Sequence, residues 1–276
     1  MLSLGLDLSG RQARALVVDE QGTIVARGSG DTAPAAVKAA IAGHQPERAG
    51  IASGASDKTA IQGFSTITRS APGAAAVAAE AWLGAAKNVR NAICLHIGDD
   101  VFAGLILDGR PWSGVHNRAG AAAWLAINPV ERQDYRREGS LAAEVSSRGI
   151  ARRLSWRIQA GDQSGVLDAA GGSLDAITGQ HVFDGARAGD GVAISVVRDT
   201  AKYIGMAVAT LAAIIDPELV VVSGRVAVAD LMLEAVRQEC GRRLPPDAMN
   251  DLRVEFSTLG DDEVAIGAAR LALDAK

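Results

Sequence analysis

The amino-acid sequence predicts an α/β fold of two lobes, built from duplicated three-stranded hairpin units around a central cleft. Three observations lead there: an internal repeat, the strand and helix segments that follow each copy, and a composition able to support a sizeable core. The repeat runs at a constant offset of 89 residues, so that Leu6 matches Leu95, Leu16 matches Leu105 and Asp19 matches Asp108. Each copy reads strand, tight turn, strand, Asp-containing turn, strand. The offset is too large for a solenoid, and two such copies each followed by helices fit a duplicated domain. The chain has 276 residues, 48% apolar and 22% charged, which suits one large domain or two modest ones and excludes wholesale disorder.

In chain order, Leu2–Leu8 alternates and is apolar, Ala13–Asp19 follows, and Thr23–Gly28 comes after the turn Asp19-Glu20-Gln21-Gly22. Ala33–Gly43 reads as a helix, Arg48–Ser53 as a strand and Gly73–Lys87 as an alanine-rich helix. The second hairpin unit occupies Ala92–Asp100, Ala103–Gly109 and Pro111–Gly114. Helix is expected over Gly139–Arg153, a loop-rich stretch over Gly161–Gly179, and helices over Val182–Ala188 and Gly191–Ile215. The last of these carries Val196, Val197, Ile204, Val208, Leu211 and Ile215 at helical spacing. It stops at Asp216-Pro217, because proline disfavours helix at the residue before it. Leu219–Ser223 reads as a buried strand, Ala229–Leu244 as a helix ended by Pro245-Pro246, Leu252–Ser257 as a strand and Glu263–Leu273 as a final helix. The expected first lobe is residues 1–90 plus the C-terminal helix (about 263–276), and the second is 91–262.

Lys plus Arg total 28 and Asp plus Glu 32, a net charge of −4. Without a basic excess to collect phosphates, a dedicated nucleic-acid or membrane-surface binder is not expected. Cys94 and Cys240, and His44, His96, His116 and His181, are scattered, which argues against a disulfide framework or a Cys/His zinc site. The uncharged run Tyr203–Ile215 is too short to span a bilayer, and Asp7 follows Met1–Leu6 too soon for a signal-peptide core. A soluble cytoplasmic protein is the expectation. With 53 alanines and only 4% aromatic residues, its helices are expected to approach closely through small side chains.

At the level of motifs, the duplicated hairpins and the strand ending Ser223-Gly224-Arg225 resemble the ribonuclease-H-like actin/hexokinase superfamily. Within it the chain resembles the ROK family of bacterial sugar kinases and repressors. The matching stretches are Ala79–Ala86, Leu105–Gly109 through Ala119-Gly120, Ala186–Asp190, Asp216-Pro217-Glu218 and Gly267-Ala268-Ala269. No helix-turn-helix precedes the first strand, so the repressor branch fits poorly. The resemblance implies an Asp general base, a zinc motif, two phosphate loops, Mg-ATP as cofactor and a homodimer.

The same resemblance shows the chemistry eroding. The family's Asn-Asp, whose Asp takes a proton from the sugar hydroxyl, falls on Ala71-Pro72. Its sugar-holding Glu and His fall on Ala121 and Trp124, and the Gly-Cys-Leu-Glu that closes its zinc motif is Gly139-Ser140-Leu141-Ala142. Asp7 and Gly10 survive from the first phosphate loop, but Ser9 replaces a glycine and Arg11 the threonine. Glycines serve such turns because backbone amides must reach phosphate unobstructed. The second loop is Gly98-Asp99-Asp100 in place of Gly-Thr-Gly, and Gly224 alone remains of the adenosine-side glycines. A carboxylate about 6 Å from a phosphate oxygen costs on the order of 3 kcal/mol at an effective dielectric near 20, so two would erode much of the roughly 8 kcal/mol of a micromolar nucleotide.

Three readings of Asp99-Asp100 stay open: ligands for Mg²⁺ together with Asp7, a solvated turn, or partners of Arg11 in an ion pair that fills the phosphate space. Asp57 and Glu80 are fallback bases, each weighed against a turn or packing role. Trp124 is expected to fill the sugar pocket, with stacking of its face on a sugar as the alternative, His116 to do nothing chemical, and Arg132, Arg136, Arg137, Arg152 and Arg153 to form a solvated face. The leading expectation is a sugar-kinase-like protein that has lost phosphoryl transfer and acts in binding, regulation or assembly, with no cofactor or metal. The alternative is an ATP-dependent sugar kinase with relocated residues. A weaker third is phosphate-ester hydrolysis by an Asp7, Asp99 and Asp100 metal cluster.

Overall fold

The computed structural model describes residues 1–54 and 57–275. In the first lobe β1 (Ser3–Asp7), β2 (Ala13–Val18) and β3 (Ile24–Gly30) form an antiparallel meander. After α1 (Ala33–Ala40), β4 (Arg48–Ala52) and β5 (Thr66–Ser70) add in parallel, giving the order β3-β2-β1-β4-β5. Then α2 (Pro72–Leu83) leads to a second meander of β6 (Ala92–Ile97), β7 (Val101–Leu107) and β8 (Arg110–Pro111). A helical block follows: α3 (Gln133–Glu138), α4 (Ser140–Val145), α5 (Ser147–Gln159), α6 (Val166–Ala169), α7 (Gly179–Arg187) and α8 (Gly191–Ile215). The chain continues through β9 (Leu219–Ser223), α9 (Ala229–Gly241), α10 (Pro246–Asp251), β10 (Arg253–Phe256) and α11 (Glu263–Asp274).

The second sheet has the order β10-β9-β6-β7-β8, the arrangement of the first seen from its other edge. The duplication therefore extends to all five strands. The interior strands β1 and β9 are buried along their whole length, and β9 reads as an aliphatic run with no polar face. α11 lies on β1 and β4, α2 lies on β6 and β7, and the two helices cross each other between the sheets. This contact is made by backbone. A Cβ on Gly267 would collide with the Ala75 carbonyl, one on Gly50 with that of Ala268, and one on Gly73 with that of Ala103.

Several boundaries differ from expectation, each for a local reason. The helix expected over Gly139–Arg153 breaks at Ser146, which is extended and whose Oγ accepts the Gly149 N–H at 3.2 Å, capping α5. α2 ends at Leu83 because the Glu80 carboxylate accepts the Ala85 N–H at 2.9 Å and draws the chain off the helix. α9 stops at Gly241, and Pro246 opens α10 from its first position, where a missing N–H costs nothing. Short helical turns occupy part of the stretch expected as loop, among them α6. The edge strand β5 was not expected: its alternate residues are only half-buried and its sequence has no apolar run.

Candidate functional site: the cleft between the lobes

A cleft of about 600 Å³ opens where the two meanders meet. Asp7, Ser9, Gly10 and Arg11 line it from the first lobe, and His96, Gly98, Asp99 and Asp100 from the second. The repeat places Asp7 and His96 at equivalent ends of β1 and β6. Asp7 is nearly buried, and its Oδ1 accepts the Ser9 N–H at 2.8 Å and the Ser9 hydroxyl at 2.7 Å, holding the first turn in shape. Loss of water around Asp100 pushes its carboxyl above the usual range. Arg148 and His96 oppose that shift, and Asp99 and Asp7 add to it.

Among the described residues no three His, Cys, Asp or Glu side chains converge as metal ligands, so Asp7, Asp99 and Asp100 are not assembled as a cluster. The Arg11 ion pair also fails: among the described residues no carboxylate lies within 4.0 Å of its guanidinium. Repeat-related positions are equivalent in their own lobes, which does not make them touch. The lobes are linked through Asp261 instead, 3.0 Å from Arg14 of β2 and 3.2 Å from Arg225 beyond β9.

Beneath the cleft lies a cluster absent from the expected site. The Glu263 carboxylate, fully buried at the start of α11, accepts the Ser223 hydroxyl at 2.7 Å and lies 2.9 Å from His96 Nδ1. Cys94 donates to its other oxygen at 3.2 Å. The imidazole is stacked on Phe102, with centroids 4.5 Å apart and planes 1° from parallel. Gly224 (φ 85°) turns the chain beside this ring, where a Cβ would press on His96 Cε1 and on the Ile97 carbonyl. His96 was readable as the repeat partner of Asp7, but Glu263 lies 167 residues from it and left no spacing signal.

The fallback bases lie elsewhere. Glu80 is fully buried between α2 and the end of β10, accepting from Ser257 and from the Ala85 N–H, and cannot reach a ligand in the cleft. Burial raises its pKa to about 7, the Glu263 carboxylate adds to this, and the bonds from Ser257 and Ala85 oppose it. A carboxyl raised in the fold adds stability that is complete below its unfolded value and is lost as pH rises through the folded one. Wild-type stability should therefore fall by up to about 3 kcal/mol between pH 4.5 and 8 relative to Glu80→Gln, which stays neutral; urea titrations at the two pH values read the difference.

Asp57 is a turn residue whose Oδ1 accepts the Thr59 N–H at 2.7 Å, and it borders a shallower depression beside Gly10, Arg11 and Asp31. Ala71 precedes α2 without a side-chain cap and Pro72 is its first residue. Ala121 and Ala142 offer no polar side chain, and Ala142 is buried in α4. Trp124 does not fill the pocket: it is 59% exposed and absent from the cleft lining, because the short turn Ala122–Trp124 directs it outward.

The arginine face is only partly solvated. Arg136 and Arg137 are exposed, but Arg132, Arg152 and Arg153 belong to an inner network. Arg132 lies 2.9 Å from the buried Glu144 and 2.5 Å from Asp134, Arg152 is 2.8 Å from Asp134, and Arg153 bonds Thr200. Tyr135 donates to Glu144 and is held far above its usual pKa by burial and by that carboxylate. Tyr135→Phe removes one bond to a buried charge and should cost about 1.5–3 kcal/mol in a urea melt.

The ROK family model matches residues 66–275. The chain belongs to the ROK family, and its fold is that of the family's actin/hexokinase-like sugar kinases. A glucokinase from Halalkalibacterium halodurans is 30% identical over 196 residues, 70% of this chain and 59% of that enzyme. A Streptomyces coelicolor glucokinase is 28% identical over 98% of this chain and 97% of its own length. A xylose repressor from Caldicellulosiruptor bescii is 24% identical over 70% of this chain and 49% of the repressor. The structure of a ROK family glucokinase from Streptomyces griseus in complex with glucose and AMPPNP superposes with a TM-score of 0.85, at 25% identity and with both chains fully covered. The chain thus spans about three fifths of one glucokinase and nearly all of another, and ROK repressors are among its relatives. Among the described residues no helix is long and apolar enough to cross a membrane.

Proposed function

We propose that this protein is a ROK sugar-kinase-like protein that holds a hydroxylated, sugar-class ligand between its lobes and does not transfer phosphate from ATP. The observation carrying this reading is the start of α2, where Ala71 and Pro72 provide neither a cap nor a carboxylate. The second turn supports it: Asp99 and Asp100 line the cleft at the positions where the family resemblance expects a phosphate loop, and carboxylates there do not suit a magnesium triphosphate. On this reading the protein works as a cytoplasmic homodimer without nucleic acid, in regulation or assembly.

Thermal shift and turnover decide the matter. Millimolar Mg-ATP should leave the melting temperature unchanged, because a ligand that does not bind the folded state cannot stabilise it. No hexose or amino sugar should be phosphorylated in a coupled ADP-release assay. Turnover on any of them would establish the second reading, an ATP-dependent sugar kinase with a relocated base. That reading draws on the resemblance to glucokinases along almost the whole chain.

A further inference from the structure

We propose that His96 is the ligand-contacting group of the cleft: its Nε2 accepts the hydrogen bond of a ligand hydroxyl, and Glu263 is the positioning residue that holds it ready. The proposal deepens the sugar-class reading above and rests on it for the nature of the ligand.

The first ground is the tautomer. An ionised carboxylate only accepts hydrogen bonds. Glu263 receives Cys94 on one oxygen and Ser223 on the other, and the His96 Nδ1 shares the second oxygen at 2.9 Å. Nδ1 therefore carries the hydrogen, and the neutral ring presents its lone pair on Nε2. The parallel stack on Phe102 fixes the plane of the ring, so this direction is set by packing as well as by bonding.

The second ground is access. Only a narrow edge of the imidazole is uncovered, its side chain being 16% exposed, and glycines frame that edge. A Cβ on Gly98 would lie 3.2 Å from Nε2, and one on Gly224 would lie 3.0 Å from Cε1. Any side chain at residue 98 would cover the nitrogen that the buried carboxylate leaves free.

The third ground is charge. From the cleft side His96 faces Asp100, with Asp99 and Asp7 near it. Arg11, Arg14 and Arg225 line the same space, Arg14 and Arg225 engaged by Asp261; Arg148 acts on Asp100, and behind Glu263 lies Glu80. The carboxylates of Asp7, Asp99 and Asp100 line the same cleft as acceptors, which suits a ligand rich in hydroxyl donors, as a sugar is. Nε2 accepts the ligand O–H as a hydrogen bond while Nδ1–H remains bonded to Glu263, so no bond breaks and no further reactant is consumed.

The test uses the full chain labelled with ¹⁵N-histidine. Long-range ¹H–¹⁵N spectra should show neutral His96 protonated on Nδ1. Diethyl pyrocarbonate, which acylates a free imidazole nitrogen, should modify His96, and Gly98→Ala should slow that reaction about tenfold or more while leaving the buried bonds intact. In titrations with glucose and a panel of other hexoses, the sugar that binds should shift the Nε2 resonance, and His96→Gln should weaken it by about tenfold, the value of one lost hydrogen bond. An Nε2–H tautomer, or acylation indifferent to Gly98→Ala, overturns the proposal. So does a hexose that perturbs other resonances and leaves Nε2 untouched. If no hexose moves any resonance, the sugar-class reading falls, and the tautomer and acylation results alone decide the role of His96.

Discussion

Gly267→Val should yield a chain that does not fold. The residue lies where α11 crosses α2, and the Ala75 carbonyl occupies the space its Cβ would take. Overpacking a core normally costs about 1–3 kcal/mol because side chains shift. Here the obstacle is a backbone carbonyl inside a helix, which moves only with the helix. α2 is in turn pinned to β7 by the contact of Gly73 with the Ala103 carbonyl, and α11 to β4 by that of Gly50 with Ala268. Displacement therefore passes from sheet to sheet, and the penalty should exceed about 5 kcal/mol, a large share of the 5–15 kcal/mol that holds a domain together. Far-ultraviolet circular dichroism of the soluble fraction checks it. Gly267→Ala already carries the offending carbon and should melt far below wild type. Gly191→Ala, at the first position of α8 with open space around it, should hold or raise the melting temperature.

The abundance of alanine announced such close approaches but not their location, since a small residue reads the same on a surface as at a crossing. The repeat announced two equivalent hairpin units, and the structure extends the equivalence to complete sheets. The edge strand β5 stayed hidden because half-burial leaves no apolar run. At the cleft, Asp7, Ser9, Gly10, Arg11, Gly98, Asp99 and Asp100 were legible as phosphate-loop positions and all line it. What escaped were pairings between distant segments. His96 looked like one of four scattered histidines, and nothing in its local sequence marked Asp261 as the partner of Arg14 and Arg225. The arginines around Glu144 looked exposed because they are interleaved with acids in sequence, and spacing does not reveal that Glu144 is buried. Residue type and local spacing announce which elements form. They do not announce which buried carboxylate meets which cation.

Replacing Glu263 should produce a large loss of stability. Its carboxylate is fully buried, is the first residue of α11 where helical N–H groups favour an anion, and gathers Ser223, Cys94 and His96 from the opposite sheet. Glu263→Ala leaves those groups without an acceptor beneath the cleft. Breaking a buried pair in this way costs about 3–5 kcal/mol, a fall in melting temperature of roughly 6–20 °C for a chain of this size. Glu263→Gln should fall between that and wild type, because an amide presents an N–H to one of three donors that all need an acceptor. A second signature separates lost charge from lost packing. Glu80 is raised partly by the Glu263 carboxylate, so in both variants its pKa should drop from about 7 toward the usual carboxylate range. The decline in stability with rising pH should then be shallower than in wild type, in proportion to that drop. A Glu263→Gln protein that keeps the wild-type melting temperature and pH slope would mean the carboxylate carries no charge in the fold, and the orientation assigned to His96 would lose its cause.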